Sequence, residues 1–219
     1  MDSLSMRREM MSSRQYTIDD YVQNGIVFWL DGIENTRSGH NASATKWEDL
    51  TSTHRDMTYN SAKVIADKYC VLNGQSAITR YTSTTTSYTI ELVLGEAPNT
   101  SVHMIMPWKG NAYGTCYVEN RKVMYRAAST SNTLTGILME SGVNTYTARG
   151  NSNFRTNGVA ATTGTLKRSA SSTNNWIGYY NTSYPWPCSV PIYAIRIYNR
   201  TLSDDEVAQN ARVDAGRFR

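Results

Sequence analysis

One strand-like stretch, TIELVLGE at 89–96, carries the acids of this 219-residue sequence that come closest to a catalytic pattern. Glycoside hydrolysis needs two carboxyl groups about 5–10 Å apart, one as the acid and one as the nucleophile or base. The stretch offers Glu91, followed by the apolar Val93 and Leu94, and Glu96 falls in the turn after it. The pattern therefore predicts a protein that is not an enzyme, with a glycoside hydrolase as the minor alternative.

The cysteines and histidines form no reactive or metal-binding pattern. Cys70, Cys116 and Cys188 are odd in number and widely spaced, and the three histidines share no ligand spacing with them or with one another. A secreted disulfide framework or a zinc site would need paired or clustered cysteines. We expect reduced, buried thiols, and no metal or cofactor.

Exposed aromatic side chains are the strongest binding candidates in the sequence. The loops MPWKGNAYG and NTSYPWPCS carry Pro and Gly beside aromatic residues, whose apolar faces match the C–H faces of sugar rings. The predicted carbohydrate-binding residues are Trp108, Tyr113, Tyr184 and Trp186. The alternative is that the two tryptophans close the ends of the fold, as core residues.

Composition narrows the class of partner. Charged residues make up 18% of the chain, the net charge is +4 and there are 15 tyrosines, which describes a nearly neutral surface rich in hydroxyl groups. Because the chain has no run of Lys or Arg, we expect no nucleic-acid partner. It also has no apolar run of membrane-spanning length and no signal-peptide pattern, so we expect no membrane contact and synthesis in the cytoplasm.

Short strand patterns recur about every ten residues, without the alternating helices of a parallel sheet. This spacing predicts an all-β, antiparallel two-sheet sandwich. The predicted strands are 26–30, 57–59, 69–72, 77–81, 88–94, 102–106, 114–118, 122–126, 135–139, 145–148, 153–156, 159–161, 176–179 and 192–198. Asn157-Gly158 predicts a tight hairpin turn within this series.

The two ends of the chain differ from the strand-rich body. Ser203, with Glu206 three residues later, predicts a capping box that opens a short C-terminal helix. Residues 1–20 are predicted to be an N-terminal arm and residues 21–219 the sandwich domain. Because Met fits irregular apolar grooves, the arm is interpreted as a partner-docking anchor, the alternative being a frayed tail. Its docking residues would be Leu4, Met6, Arg7, Arg8, Met10 and Met11.

Four stretches resemble a known family. IRIYNRTLSDDEV at 195–207 is similar to the closing signature of concanavalin A-like, laminin-G-like (LamG) jelly-roll domains, and three further stretches agree with it. The other three stretches are IVFWLDGIENTRSGHNASATKWEDL, SYTIELVLG and NWIGYY. The resemblance implies a jelly roll in which Arg196 and Arg200 face outward and tie the last turn, while Leu202 and Val207 enter the core.

Some LamG domains bind calcium through loop acids. Asp31, Glu34, Asn35 and Asp49 lie in or beside the corresponding loop, but Arg55 follows where relatives often carry a Gly/Asn-rich turn. A positive charge there disfavours a hard cation. We therefore predict no metal, and leave calcium binding by the loop around Asp31–Asn35 open.

The termini suggest a setting for the domain. The Met- and Arg-rich start and the NARVDAGRF ending resemble proteins encoded by bacteriophages and prophages of Gram-positive bacteria. The resemblance implies a virion structural protein, a capsid decoration or a tail or fibre attachment. It would be held by virion partners in many copies, with host or mucosal glycans as additional ligands through avidity. A bacterial carbohydrate-binding module is the alternative.

Overall fold

A computed structural model gives the structure of the chain at residues 15–73, 76–78, 87–98, 101–107, 115–126, 133–149, 153–161, 163–167, 176–177 and 188–219. Its strands are β1 (Ile26–Asp31), β2 (Lys46–Trp47), β3 (Met57–Thr58), β4 (Val64–Ile65), β5 (Cys70–Val71), β6 (Ser76–Ile78), β7 (Thr89–Leu94), β8 (His103–Pro107), β9 (Thr115–Glu119), β10 (Lys122–Arg126), β11 (Thr133–Leu138), β12 (Asn144–Arg149), β13 (Asn153–Thr156), β14 (Val159–Ala160), β15 (Thr163–Lys167), β16 (Trp176–Ile177) and β17 (Ile192–Tyr198). A 3-10 turn covers Ile18–Asp20, and one α-helix, α1, covers Asp204–Phe218.

The main sheet is antiparallel and has eight strands. Its order is β14-β13-β12-β7-β17-β5-β4, and β1 also pairs with β17. The hairpin between β13 and β14 turns at Asn157-Gly158, as predicted, with positive φ angles of 52° and 84° that suit these two residue types.

The opposite layer consists of two smaller sheets within the described residues. One has the order β15-β11-β10-β9-β8 and the other β16-β6-β3-β2, with β8 beside β16. Between the two layers lies one apolar core, which includes Phe28, Leu30, Trp47, Leu92 and Ile195. The predicted all-β jelly-roll sandwich is therefore confirmed, with its second layer divided between two sheets.

Helix α1 and residues 15–22 cover the outer face of the main sheet, so both faces of its central strands are buried. All six residues of β7 are buried, although their side chains alternate between the two faces. Val213 packs with Tyr21 and Trp29, while Phe218 packs with Val93 on the same face. The helix, expected to be short, has 15 residues and forms a third layer on the sandwich.

The corner between β17 and α1 is built largely as predicted. Arg200 donates to both Glu206 carboxylate oxygens at 2.8 and 2.6 Å, and to the Asn24 carbonyl oxygen at 2.9 Å. The hydrogen bonds from Arg200 hold the pKa of Glu206 down to about 2. Ser203 and Glu206 form the predicted capping box, and Leu202 and Val207 are buried.

The expectation that Arg196 faces outward and ties the turn is wrong. It points away from the apolar core, but α1 covers it and leaves none of its surface exposed. Its guanidinium donates two hydrogen bonds to Asp214, at 2.9 and 2.6 Å, and one to Glu91 Oε2 at 2.9 Å. Asp214 accepts two more, at 2.7 Å each, from the hydroxyls of Tyr21 and Thr145. Burial would lower the pKa of Arg196, but Asp214 and Glu91 outweigh it and raise that pKa well above its ordinary value.

We predict that Arg196→Leu lowers the free energy of unfolding by about 3–5 kcal/mol, because it leaves the buried carboxylates of Glu91 and Asp214 without their cation. Urea unfolding followed by circular dichroism measures the change. Arg37→Leu is the matched control: it breaks the Arg37–Asp56 pair, which lies at the surface, and should cost less than about 1 kcal/mol. Equal losses in the two variants would contradict the prediction.

Candidate functional site

The predicted sugar-binding aromatics and docking residues lie outside the described residues. Trp108, Tyr113, Tyr184 and Trp186 belong to 108–114 and 178–187, and the arm residues from Leu4 to Met11 belong to 1–14. Their roles stay predictions.

The acids of the β7 stretch do not meet in an open site. Glu91 lies beneath α1 with no exposed surface, and its Oε2 accepts hydrogen bonds from Arg196 and from the Asn210 side-chain amide. Burial raises the pKa of Glu91. Glu96 is exposed and pairs with Arg121. One acid is sealed inside the protein and the other faces solvent.

The three cysteines are free and buried, as predicted. Burial raises the pKa of Cys70 and of Cys188 to about 12, and raises that of Cys116 as well. Because the thiolate is the reactive form, these thiols suit the core and not nucleophilic chemistry.

Arg217 neutralises the acids at the start of the loop considered for calcium. Its guanidinium donates to Asp31 Oδ2 at 2.6 Å and to Glu34 Oε1 at 3.2 Å. Asp49 accepts the backbone N–H groups of Trp29, Thr51 and Arg55 at 2.9–3.0 Å. In the described part of the chain, no group of three His, Cys, Asp or Glu residues is placed to hold a metal ion.

An open groove of about 320 Å³ lies between the 3-10 turn and α1. Its lining residues are Tyr16, Asp19, Asp20, Gln209, Arg212 and Val213. A volume of this size is at the lower end of those that hold small ligands. Thr17 caps the 3-10 turn through its hydroxyl and its N–H group, and this fixes the chain from which the two aspartates project.

Helix α1 supplies the second wall of the groove. Gln209, Arg212 and Val213 are spaced three and four residues apart, so they project from one face of the helix. The Gln209 amide donates to the Asp20 carbonyl oxygen at 2.8 Å and joins the two walls. Tyr16 crosses the helix at Gly216, where an added Cβ would lie 2.2 Å from Tyr16 Cδ2. Glycine is therefore required for this close approach.

The groove contains charged groups that are not neutralised by neighbours. Within the described residues, the Arg212 guanidinium and the Asp19 carboxylate make no hydrogen bond or ion pair. The Asp20 carboxylate, by contrast, accepts the Thr17 N–H at 2.9 Å. The Arg212 guanidinium can donate hydrogen bonds to the hydroxyl groups of a sugar, and the Asp19 carboxylate can accept them. The Tyr16 ring matches the C–H face of a sugar.

Sequence reasoning missed this groove because its two walls are nearly 190 residues apart in the chain. The helical spacing of Gln209, Arg212 and Val213 was visible, and so were the paired aspartates. Nothing in the sequence showed that the two segments meet on one sheet face. The structure also contains no helix, within its described residues, with the length and apolar character needed to cross a membrane.

Solved structures share this fold. A sialidase from Trypanosoma rangeli in complex with sialic acid superposes with a TM-score of 0.58 at 12% identity, over 97% of this chain and 37% of the sialidase chain. The binding domain of Paraclostridial Mosquitocidal Protein 1 gives 0.57 at 13% identity, over 85% of this chain and 52% of that chain. The protein thus spans about half or less of these neighbours. No protein-family model and no curated protein sequence matches the chain. These likenesses establish the β-sandwich fold.

We predict that Gly216→Ala displaces Tyr16 from α1 without unfolding the helix. The new Cβ would overlap the Tyr16 ring, whereas Ala in a helix is favoured over Gly by about 0.5–1 kcal/mol. Mass spectrometry of brief chymotrypsin digests should show faster cleavage after Tyr16, with unchanged helical circular dichroism. Asp205→Ala, at an exposed helix position, is the control and should leave cleavage unchanged. An unaltered rate in Gly216→Ala would refute the contact.

Proposed function

We propose that the protein is a non-enzymatic recognition domain that binds glycans. The observation that carries the proposal is the groove between the 3-10 turn and α1. It presents an unpaired Arg212 and an unpaired Asp19 beside the Tyr16 ring, within the described residues. The β-sandwich shared with a sialidase and with a toxin binding domain is consistent with such a role.

The distribution of acids favours binding over hydrolysis. A glycosidase places two carboxyl groups on either side of the scissile bond. In the groove, the Asp20 carboxylate is held by Thr17, which leaves Asp19 as the available acid. Glu91 is sealed beneath α1 and Glu96 pairs with Arg121. Glycoside hydrolysis is retained as the minor alternative, which the binding experiment also tests.

The loops that carry Trp108, Tyr113, Tyr184 and Trp186 are proposed as a separate aromatic contact for glycans. The groove and the aromatic loops would each bind weakly. Many copies on one surface would then raise the overall affinity through avidity.

We also propose that the setting is a bacteriophage particle, on which the N-terminal arm docks to capsid or tail proteins. Three free, buried cysteines suit a protein that folds in a reducing cytoplasm before release in a virion. The Met-rich composition of residues 1–14 suits an anchor. A bacterial carbohydrate-binding module is the alternative.

We predict that Arg212→Ala lowers glycan affinity about tenfold or more, because a hydrogen bond to a charged group contributes about 1.5–3 kcal/mol. Binding of the wild-type protein to a glycan array identifies the ligands, and titration of the strongest one measures the loss. Asp19→Asn should also weaken binding, whereas Lys46→Ala, which removes an exposed cation outside the groove, should not.

Two further outcomes of this experiment decide between functions. Failure of the wild-type protein to bind any glycan would reject the proposed function. Release of free sugar from a bound glycan would instead support the hydrolase. Trp108→Ala and Trp186→Ala test the aromatic loops in the same assay, and unchanged binding would remove them from the site.

For the virion setting, we predict that deleting residues 1–14 abolishes incorporation into phage particles while the sandwich stays folded. Mass spectrometry of purified particles measures incorporation, and circular dichroism of the free protein measures folding. Absence of the full-length protein from particles of the producing strain would favour the bacterial module.

A further inference from the structure

Two tyrosines form an aromatic pair on the surface beyond the C-terminal end of α1. The rings of Tyr69 and Tyr193 are both half-buried, with centroids 5.1 Å apart and planes inclined by 45°. Tyr193 in turn contacts the ring of Phe218, the last residue of α1, at 5.6 Å. Within the described residues, neither tyrosine hydroxyl makes a hydrogen bond.

The backbone is shaped to present this pair. The register of β17 against β7 shifts between Ile192 and Ala194, and such a bulge re-aims the side chain of the extra residue, Tyr193. At Gly32, an added Cβ would lie 2.2 Å from the Lys68 carbonyl oxygen. This close approach brings the chain at Tyr69 against the end of β1, beside Tyr193.

Glu34 connects the tyrosine pair with the groove. Arg217 donates to Glu34 at 3.2 Å, and its guanidinium carbon lies 5.3 Å from the Phe218 ring centre. Burial raises the pKa of Glu34, and the charges of Asp31 and then of Asp19, at the groove, add to the rise. The Glu34 side chain is 30% exposed, so it can accept a hydrogen bond from solvent or from a ligand.

Helix α1 contacts all three features. Val213 lines the groove, and Arg217 follows it by one helical turn. From Arg212 to Phe218 the helix rises about 9 Å, which exceeds the width of a single sugar ring. The groove supplies charged hydrogen-bonding groups, Glu34 supplies an acceptor, and the tyrosine pair supplies aromatic faces.

We propose that this strip, from the groove across Glu34 to Tyr69 and Tyr193, binds one extended oligosaccharide and not a single sugar. The groove holds one sugar unit by hydrogen bonds, and the tyrosine pair stacks against another unit further along the chain. The inference rests on the proposed glycan binding and adds the length of the ligand and a second contact region.

The test compares short and long glycans on one array. The probes are glucose, galactose, N-acetylglucosamine and N-acetylneuraminic acid, each printed alone and at the end of linear trisaccharides and hexasaccharides. The wild-type protein should bind at least one hexasaccharide about tenfold more tightly than the matching monosaccharide. Tyr69→Ala should remove most of this advantage, because it deletes an aromatic contact. Tyr69→Phe, which keeps the ring, should retain it.

A second measurement uses the unaltered protein and so does not depend on the folding of a variant. Tetranitromethane nitrates exposed tyrosines, and mass spectrometry locates the products. The best-bound hexasaccharide should protect Tyr69 and Tyr193 from nitration, whereas the matching monosaccharide should leave both reactive.

The possible failures are distinguishable. If the wild-type protein binds no probe, the proposed glycan-binding function itself is rejected. If binding depends on Arg212 but is equal for monosaccharides and hexasaccharides, or if the hexasaccharide leaves Tyr69 and Tyr193 unprotected, only the extended strip is rejected.

Discussion

The buried charge of Arg196 is the constraint on which the outer layer of this protein depends. A guanidinium at the centre of a sheet is costly to remove from water unless its hydrogen bonds and charge are satisfied. Glu91 comes from the neighbouring strand, but Asp214 comes from α1. The helix must therefore dock in one position for the sheet to be stable, and Tyr21, whose hydroxyl donates to Asp214, ties the segment before β1 to the same point.

This fixed docking shapes the outer surface of the protein around α1. When Asp214 faces inward, Arg212 on the same helix turns outward over the 3-10 turn, and the groove forms between the two segments. Arg217, one helical turn after Asp214, also anchors the helix, because it neutralises Asp31 and holds Glu34 at the surface. The interior pairs are structural, whereas in the described part of the chain the Arg212 guanidinium and the Asp19 carboxylate stay unpaired at the surface.

The sheet architecture could be predicted from local patterns, because those patterns carry the relevant physics. The alternation in Tyr88–Leu94, the Asn157-Gly158 turn and the cap at Ser203 each specify geometry within a few residues. Strands of two residues such as Lys46–Trp47 and Val64–Ile65 are too short to show a period. The burial of Arg196 beneath α1 and the formation of the groove depend on contacts between segments that are distant in the chain. A single sequence does not reveal such contacts.

The Arg196 cluster also bears on how this sequence can diverge. Replacement of any one member leaves the buried charges of the others uncompensated. Exchange of the whole set for well-packed apolar residues can instead leave stability unchanged. Positions 91, 196 and 214 should therefore vary together among descendants of this chain: either all three keep their charges, or all three lose them. Exposed positions such as Arg212 carry no such linkage, so they can change while the scaffold is held constant.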